Sequence, residues 1–162
     1  FYFAVLSLVC IFSLSVKQIS SLFVVNNVIN YFLAPLIARL IVKYGEKRML
    51  TAEYTSLIFV FVGYALTHKA WVAASLYVID HIFFNFSIAI NTYFHKVADK
   101  KDIAPSMAMS FTINHIAAVI IPALGGLLWI ADYRIPFIFG AVLAMISIVF
   151  VRMIDTPDPM EG

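Results

Sequence analysis

The chain has 162 residues, of which 63% are hydrophobic and 12% charged, with a mean hydropathy of +0.96. So apolar a composition excludes a soluble domain, whose surface would have to be far more polar, and a formal net charge of +2 gives no basis for a nucleic-acid partner. The single cysteine, Cys10, excludes an internal disulfide and any Cys-based zinc or iron–sulfur site.

A bilayer core of about 30 Å is crossed by roughly 20 mostly apolar helical residues. The chain opens on Phe1 inside an apolar run, with no basic segment followed by a cleavage site. It is therefore expected to be a cut through something longer and not a signal peptide. Residues 1–15 read as a partial crossing. Residues 18–42 read as a full one and carry Asn26, Asn27 and Asn30. A basic turn follows around Gly45, since glycine accepts backbone angles that side chains forbid. Crossings at 49–67 and 71–94 come next, the second holding Asp80, His81, Asn85 and Asn91. The charged stretch 96–102 is expected to be a solvated loop, with Pro105 in the first turn of the next helix, where its missing N–H costs nothing. That helix, 105–130, carries Ser110, Asn114, His115, Pro122, Gly125 and Gly126. After a polar turn at 132–134, residues 135–153 form the last crossing. Residues 155–162 are expected to be a disordered cytoplasmic tail.

Residues 1–154 thus read as one all-α integral membrane bundle of six helices, the first truncated. The crossings are helices because lipid does not tolerate unpaired backbone groups and a barrel would show alternating segments of about ten residues. One set of turns collects Arg39, Lys43, Lys47, Arg48, Lys96, Lys100, Lys101 and Arg152, whereas the alternate set holds Lys17, Lys69 and Arg134. By the positive-inside rule the richer set, and with it the C-terminus, is cytoplasmic. Trp71 and Trp129 fall near the opposite interface, as aromatic belt residues do.

The turn at residues 39–48 resembles the loop between the second and third helices of major facilitator superfamily transporters, written G-x-L-A-D-R-x-G-R-R-R and repeated more loosely between the eighth and ninth. Set on Gly45, Ala38, Leu40, Lys43, Lys47 and Arg48 take its small, apolar and basic positions, while Val42 and Glu46 depart from it. Ala117, Ile121, Pro122, Gly125 and Gly126 are similar to the G-x-x-x-G-P-x-x-G-G pattern of the eleventh helix of some members, with both leading glycines replaced. The resemblance implies the C-terminal six-helix half of such a transporter, facing an N-terminal six-helix half of the same protein. Each half would be built from inverted three-helix repeats, with a small-molecule substrate at the midplane between them.

Polar side chains at mid-membrane are expensive, by ~2.5–3.5 kcal/mol for a central Asp, so each needs a reason. At about 100° per residue, Asp80, Ser87 and Asn91 share one stripe, and His81, Asn85 and Thr92 the next. Such an arc faces protein or a water-filled cavity. Asn26, Asn27 and Asn30 make a similar arc, and Ser110 and Asn114 a third, so that Asn85 and Asn91 with these five are candidates for lining a substrate cavity. An interhelical hydrogen-bond network is the alternative for the same residues. Asp80, His81 and His115 are candidates for proton coupling, because imidazole changes charge near neutral pH. They match no zinc motif, and no metal or cofactor is expected. Lys43, Gly45, Lys47, Arg48 and Glu53 are candidates for a cytoplasmic gating loop, with Glu53 expected to pair with Lys47 and Arg48. Pro122, Gly125 and Gly126 read equally as a hinge or as a site of close helix packing.

No G-x-x-x-x-G-K-[ST] loop and no G-x-S-x-G nucleophile setting is present. The expectation is a non-enzymatic secondary transporter in the plasma (inner) membrane, moving a small solute by alternating access with proton coupling. A membrane-embedded enzyme acting on a lipid, and a non-transporting scaffold or sensor, are the alternatives.

Overall fold

The computed structural model describes residues 2–154, and the tail expected at 155–162 lies outside them. The described residues form α1 (Tyr2–Cys10), α2 (Val16–Tyr44), α3 (Glu46–Leu66), α4 (Ala70–Phe84), a 3₁₀ turn (Asn85–Ser87), α5 (Ile88–Val97), α6 (Lys100–Ala131) and α7 (Ile135–Arg152). Five helical stretches are long and apolar enough to cross a membrane: α2, α3, α4 through α5, α6 and α7.

Local chemistry sets the boundaries. Ser15 caps α2 by accepting the Gln18 N–H, while the Gln18 side chain accepts the Ser15 N–H at 2.8 Å. This reciprocal capping box starts the helix two residues before the expected crossing. Gly45 ends α2 and begins α3 with φ +79° and ψ 156°. Only glycine occupies that region readily, so α2 and α3 reverse direction through a single residue.

The charged stretch 96–102 is not an open loop. Lys96 belongs to α5, and α6 begins at Lys100, which puts Pro105 in the second turn rather than the first. The reason is length. Thirty-two helical residues span about 48 Å, well beyond the bilayer core, so the first turns of α6 can carry Lys100, Lys101 and Asp102 in the aqueous zone.

Helix α3 is the hub. It packs along α7 more extensively than any other pair, and it also touches α2, α4, the 3₁₀ turn and α5. On α7 the buried residues are Phe137, Ala141, Ala144 and Val151, on one helical stripe. A Cβ added to Gly140 on the same side would lie 3.1 Å from the Phe61 ring of α3. Small residues let the two backbones come close enough for dispersion to hold them. Helix α6, by contrast, meets α7 and α1 and leaves most of its length exposed.

Two apolar cores result. One joins Leu8, Ile19, Val60, Tyr64, Ala73, Tyr77 and Phe137, with the Tyr64 and Phe137 rings stacked at 4.8 Å. The other joins Ile37, Ile41, Leu50, Phe86, Ala89 and Val151. Along each helix the polar positions fall between these clusters: Asn26 and Asn30 between Ile19 and Ile37, Glu53 between Val60 and Leu50, Asp80 to Asn85 between Tyr77 and Phe86.

Gly45→Ala is expected to lower stability by roughly 1–3 kcal/mol, because nothing crowds the position and the cost is the backbone angle alone. Gly126→Ala, also uncrowded but inside α6, is expected to be neutral or to stabilise by up to ~1 kcal/mol. Thermal unfolding in one detergent measures both, and equal shifts would remove the role of the turn.

Candidate functional site

The helical repeat places Phe23, Asn26, Asn27 and Asn30 on one side of α2, and Tyr77, His81 and Asn85 at successive i, i+4 positions on α4 and just beyond it. The structure turns these two rows toward each other. Phe23, Asn26, Asn27, Asn30, Tyr77 and His81 line a cavity of about 310 Å³. Across its lower edge the Asn85 side-chain amide donates to Asn30 Oδ1 at 2.8 Å and to the His81 carbonyl at 2.9 Å. A side-chain hydrogen bond joins Asn26 to Tyr77. Asn26 is buried, and among the described residues its Oδ1 has no hydrogen-bond partner, a cost borne beside the cavity. Asn27 is exposed and returns its amide to the Phe23 carbonyl. His81 Nδ1 lies 3.0 Å from the Tyr77 carbonyl. A carbonyl can only accept, so that nitrogen carries the proton of this bond.

Asp80 points elsewhere. Its carboxylate is 3.9 Å from His81 Nδ1, with 14% of the side chain exposed. It lines a second cavity, of about 300 Å³, walled by α1, α3, α6 and α7. Adjacent residues on a helix diverge by about 100°, which is why Asp80 and His81 serve different spaces. His115 does not join them. It lies on the exposed part of α6, with Nδ1 3.1 Å from the Phe111 carbonyl and its ring on Phe111. Asn91, Ser110 and Asn114 are also exposed and line neither cavity. Asn91 and Ser87 do not continue the Asp80 stripe, because the 3₁₀ turn at 85–87 advances by a larger angle per residue than an α-helix. Thr92 returns its hydroxyl proton to the Ile88 carbonyl.

The basic turn differs from expectation in its partners. Glu53 is buried, and among the described residues its Oε2 has no hydrogen-bond partner. Among the described residues it pairs with neither Lys47 nor Arg48, because Lys47 donates to the Ile154 carbonyl at 2.8 Å and Arg48 is exposed. The acid that does pair is Glu46, whose carboxylate, 4% exposed, meets Lys96 Nζ at 2.5 Å. Lys43 is exposed, its Nζ 5.1 Å from the centre of the Tyr44 ring. Together the Lys47 and Glu46 contacts bring the α2–α3 turn, the end of α5 and the end of α7 to one end of the bundle. Gly125 is buried, and a Cβ there would collide with the Phe3 ring of α1, so this glycine is a point of close helix packing. Gly126 has open space around it. Among the described residues no three His, Cys, Asp or Glu side chains converge as a metal ion would need.

The molecule thus combines a polar belt between two apolar cores, a basic end and five long apolar helices. The family model described as Major Facilitator Superfamily matches residues 1–162, the whole length. The chain belongs to the major facilitator superfamily. It is an integral membrane protein of a transporter family. No curated protein and no solved structure matches it. At the turn of residues 39–48, the pairing of Glu46 is the informative departure from expectation. In the sequence Glu46 stands where a base is expected, and the lysine fifty residues away that explains it carries no local signal. Tyr77 joins the site as a residue the sequence expectation lacks, its only local signal being the i, i+4 spacing to His81.

Lys96→Met strands the Glu46 carboxylate in a buried setting and is expected to cost roughly 1–3 kcal/mol, below the 3–5 of a fully buried pair because Lys96 is half exposed. Adding Glu46→Gln to Lys96→Met is expected to restore part of that loss. A double variant less stable than Lys96→Met, in the same detergent melt, contradicts the pairing.

Proposed function

We propose that the chain is the C-terminal six-helix bundle of a secondary active transporter, working with an N-terminal six-helix half to move a small solute by alternating access, with protons as the coupling ion. The observation that carries this reading is the asparagine-lined cavity between α2 and α4, set at mid-height between two apolar cores. Amide groups supply both donors and acceptors, which suits a neutral or zwitterionic polar solute. The exposed Ser110, Asn114 and Asn91 are polar groups on apolar helices, and a facing bundle or a water-filled path would satisfy them where lipid would not.

Orientation follows from the basic end. Lys47, Arg48, Lys96, Lys100, Lys101 and Arg152 all lie at or beside the turns tied together by the Glu46 and Lys47 contacts. With this end cytoplasmic, in the plasma membrane, single cysteines at Asp102 and Lys69 label from opposite sides, Asp102 from within. Labelling of Asp102 by an impermeant reagent outside intact cells, with Lys69 protected, would invert the topology.

Coupling requires a group whose proton affinity differs between the two access states. Asp80 meets that requirement: a mid-membrane carboxylate loses or gains its proton as water reaches it or leaves. Asp80→Asn keeps the shape and fixes the neutral state. In the full-length protein it is expected to abolish gradient-driven accumulation while leaving solute exchange partly intact. Accumulation at wild-type level, with an unchanged pH profile, would reduce Asp80 to a packing residue.

A further inference from the structure

The second cavity has a composition that the transport reading does not use. Its volume is about 300 Å³, and it is walled by rings: Phe3 from α1, Phe61 and Tyr64 from α3, Phe137 and Phe139 from α7. Aliphatic residues of α6 and α7 complete it, and among the described residues that line it Asp80 alone is charged. The Tyr64 hydroxyl donates to the Ala73 carbonyl at 3.1 Å, so its proton is committed to the α4 backbone and not to the cavity. The neighbouring His81 Nδ1 is likewise committed to the Tyr77 carbonyl.

Each ligand class can be weighed against this wall. An anion would be repelled by the carboxylate. A neutral apolar molecule would fill the space but make no use of the carboxylate, whose neighbour at 3.9 Å is His81. A small metal cation needs six or more oxygen ligands, or several carboxylates, and the cavity presents one carboxylate among rings. A cation carried on an apolar body satisfies all the terms at once. Its charge meets Asp80, its weak hydration is surrendered cheaply, and the ring faces left free by the Tyr64–Phe137 stack can attract it in addition.

We infer that the cavity between α1, α3, α6 and α7 is a binding site for a hydrophobic organic cation of the quaternary or protonated-amine class, with Asp80 as its counter-ion and the rings of Phe61, Tyr64 and Phe137 as its walls. The site is separate from the asparagine-lined cavity, because Asp80 and His81 leave α4 in different directions. A cation held here occupies the carboxylate that the transport reading assigns to the proton. The inference rests on that reading only for this consequence, since binding is measured without transport.

The test is equilibrium binding of radiolabelled benzyltrimethylammonium to the full-length protein in phosphatidylcholine nanodiscs. The probe is a permanent cation, so its own charge is independent of pH. Saturable binding is expected for the wild type, with a Kd raised roughly tenfold or more by Asp80→Asn, the scale set by removing one desolvated charge pair. Asp80→Glu is expected to retain most of the affinity. Leu143→Trp, which fills the cavity from α7 and leaves the carboxylate alone, is expected to weaken binding comparably. Neopentylbenzene, the uncharged carbon isostere, is expected not to displace the probe. Wild-type affinity in Asp80→Asn, or displacement by the isostere as readily as by the cation itself, overturns the inference and makes the space a gap filled by lipid chains. Should Asp80→Asn fail to elute as the wild type does, the Leu143→Trp and isostere measurements decide alone. Weakened probe binding in Asp80→Asn together with wild-type solute accumulation counts against the coupling role of Asp80, not against this site.

Discussion

In lipid, helices gain nothing by hiding apolar side chains from one another, so a bundle must be held by close packing and by hydrogen bonds between its members. Here that demand is met first between α3 and α7. Gly140, Ala141 and Ala144 reduce the α7 surface until Phe61, Val60 and Tyr64 of α3 can lie against it. With α7 fixed along one side, α3 becomes the post around which α2, α4 and α5 are arranged. Its position also explains why two of its acids are buried. Glu46 can be buried because α5 delivers Lys96 to it, while Glu53 is buried with no ion-pair partner among the described residues.

The same arrangement sorts the polar residues of α4. One row, Tyr77, His81 and Asn85, meets the asparagines of α2 and is knitted to them by hydrogen bonds. Asp80 leaves the helix in another direction and ends among aromatic rings. Two residues adjacent in sequence therefore belong to two chemical environments, one amide-rich and one nearly apolar. The 3₁₀ turn that follows changes the phase of the helix, which takes Asn91 out of both.

Helix α6 is built differently from the others. Close contact is concentrated in its C-terminal half, where Gly125 admits Phe3, and the half carrying Ser110, Asn114 and His115 stands exposed. Polar groups on so apolar a helix require a partner other than lipid. In the proposed two-bundle arrangement this exposed half is the surface that a facing bundle or the translocation path would cover.

Read alone, the sequence determined the class of the protein, the approximate places of its helices, and which end carries the bases. These properties are local: they depend on the length of apolar runs, on Gly45 between two of them, and on where lysine and arginine fall. The asparagines of α2 and the polar row of α4 were also legible, because helical spacing is a property of the chain itself. What stayed hidden was every choice between partners. Glu53 and Glu46 are both acids near the same basic turn, and only the approach of α5 decides that Lys96 takes Glu46 while Lys47 turns to the Ile154 carbonyl. Asp80, His81 and His115 share a chemistry that suggests one site, and only packing separates them, since α6 meets the bundle too far along its length to bring His115 inward. Spacing along a helix reports which side a residue takes, but which neighbour waits on that side is a property of the assembled bundle.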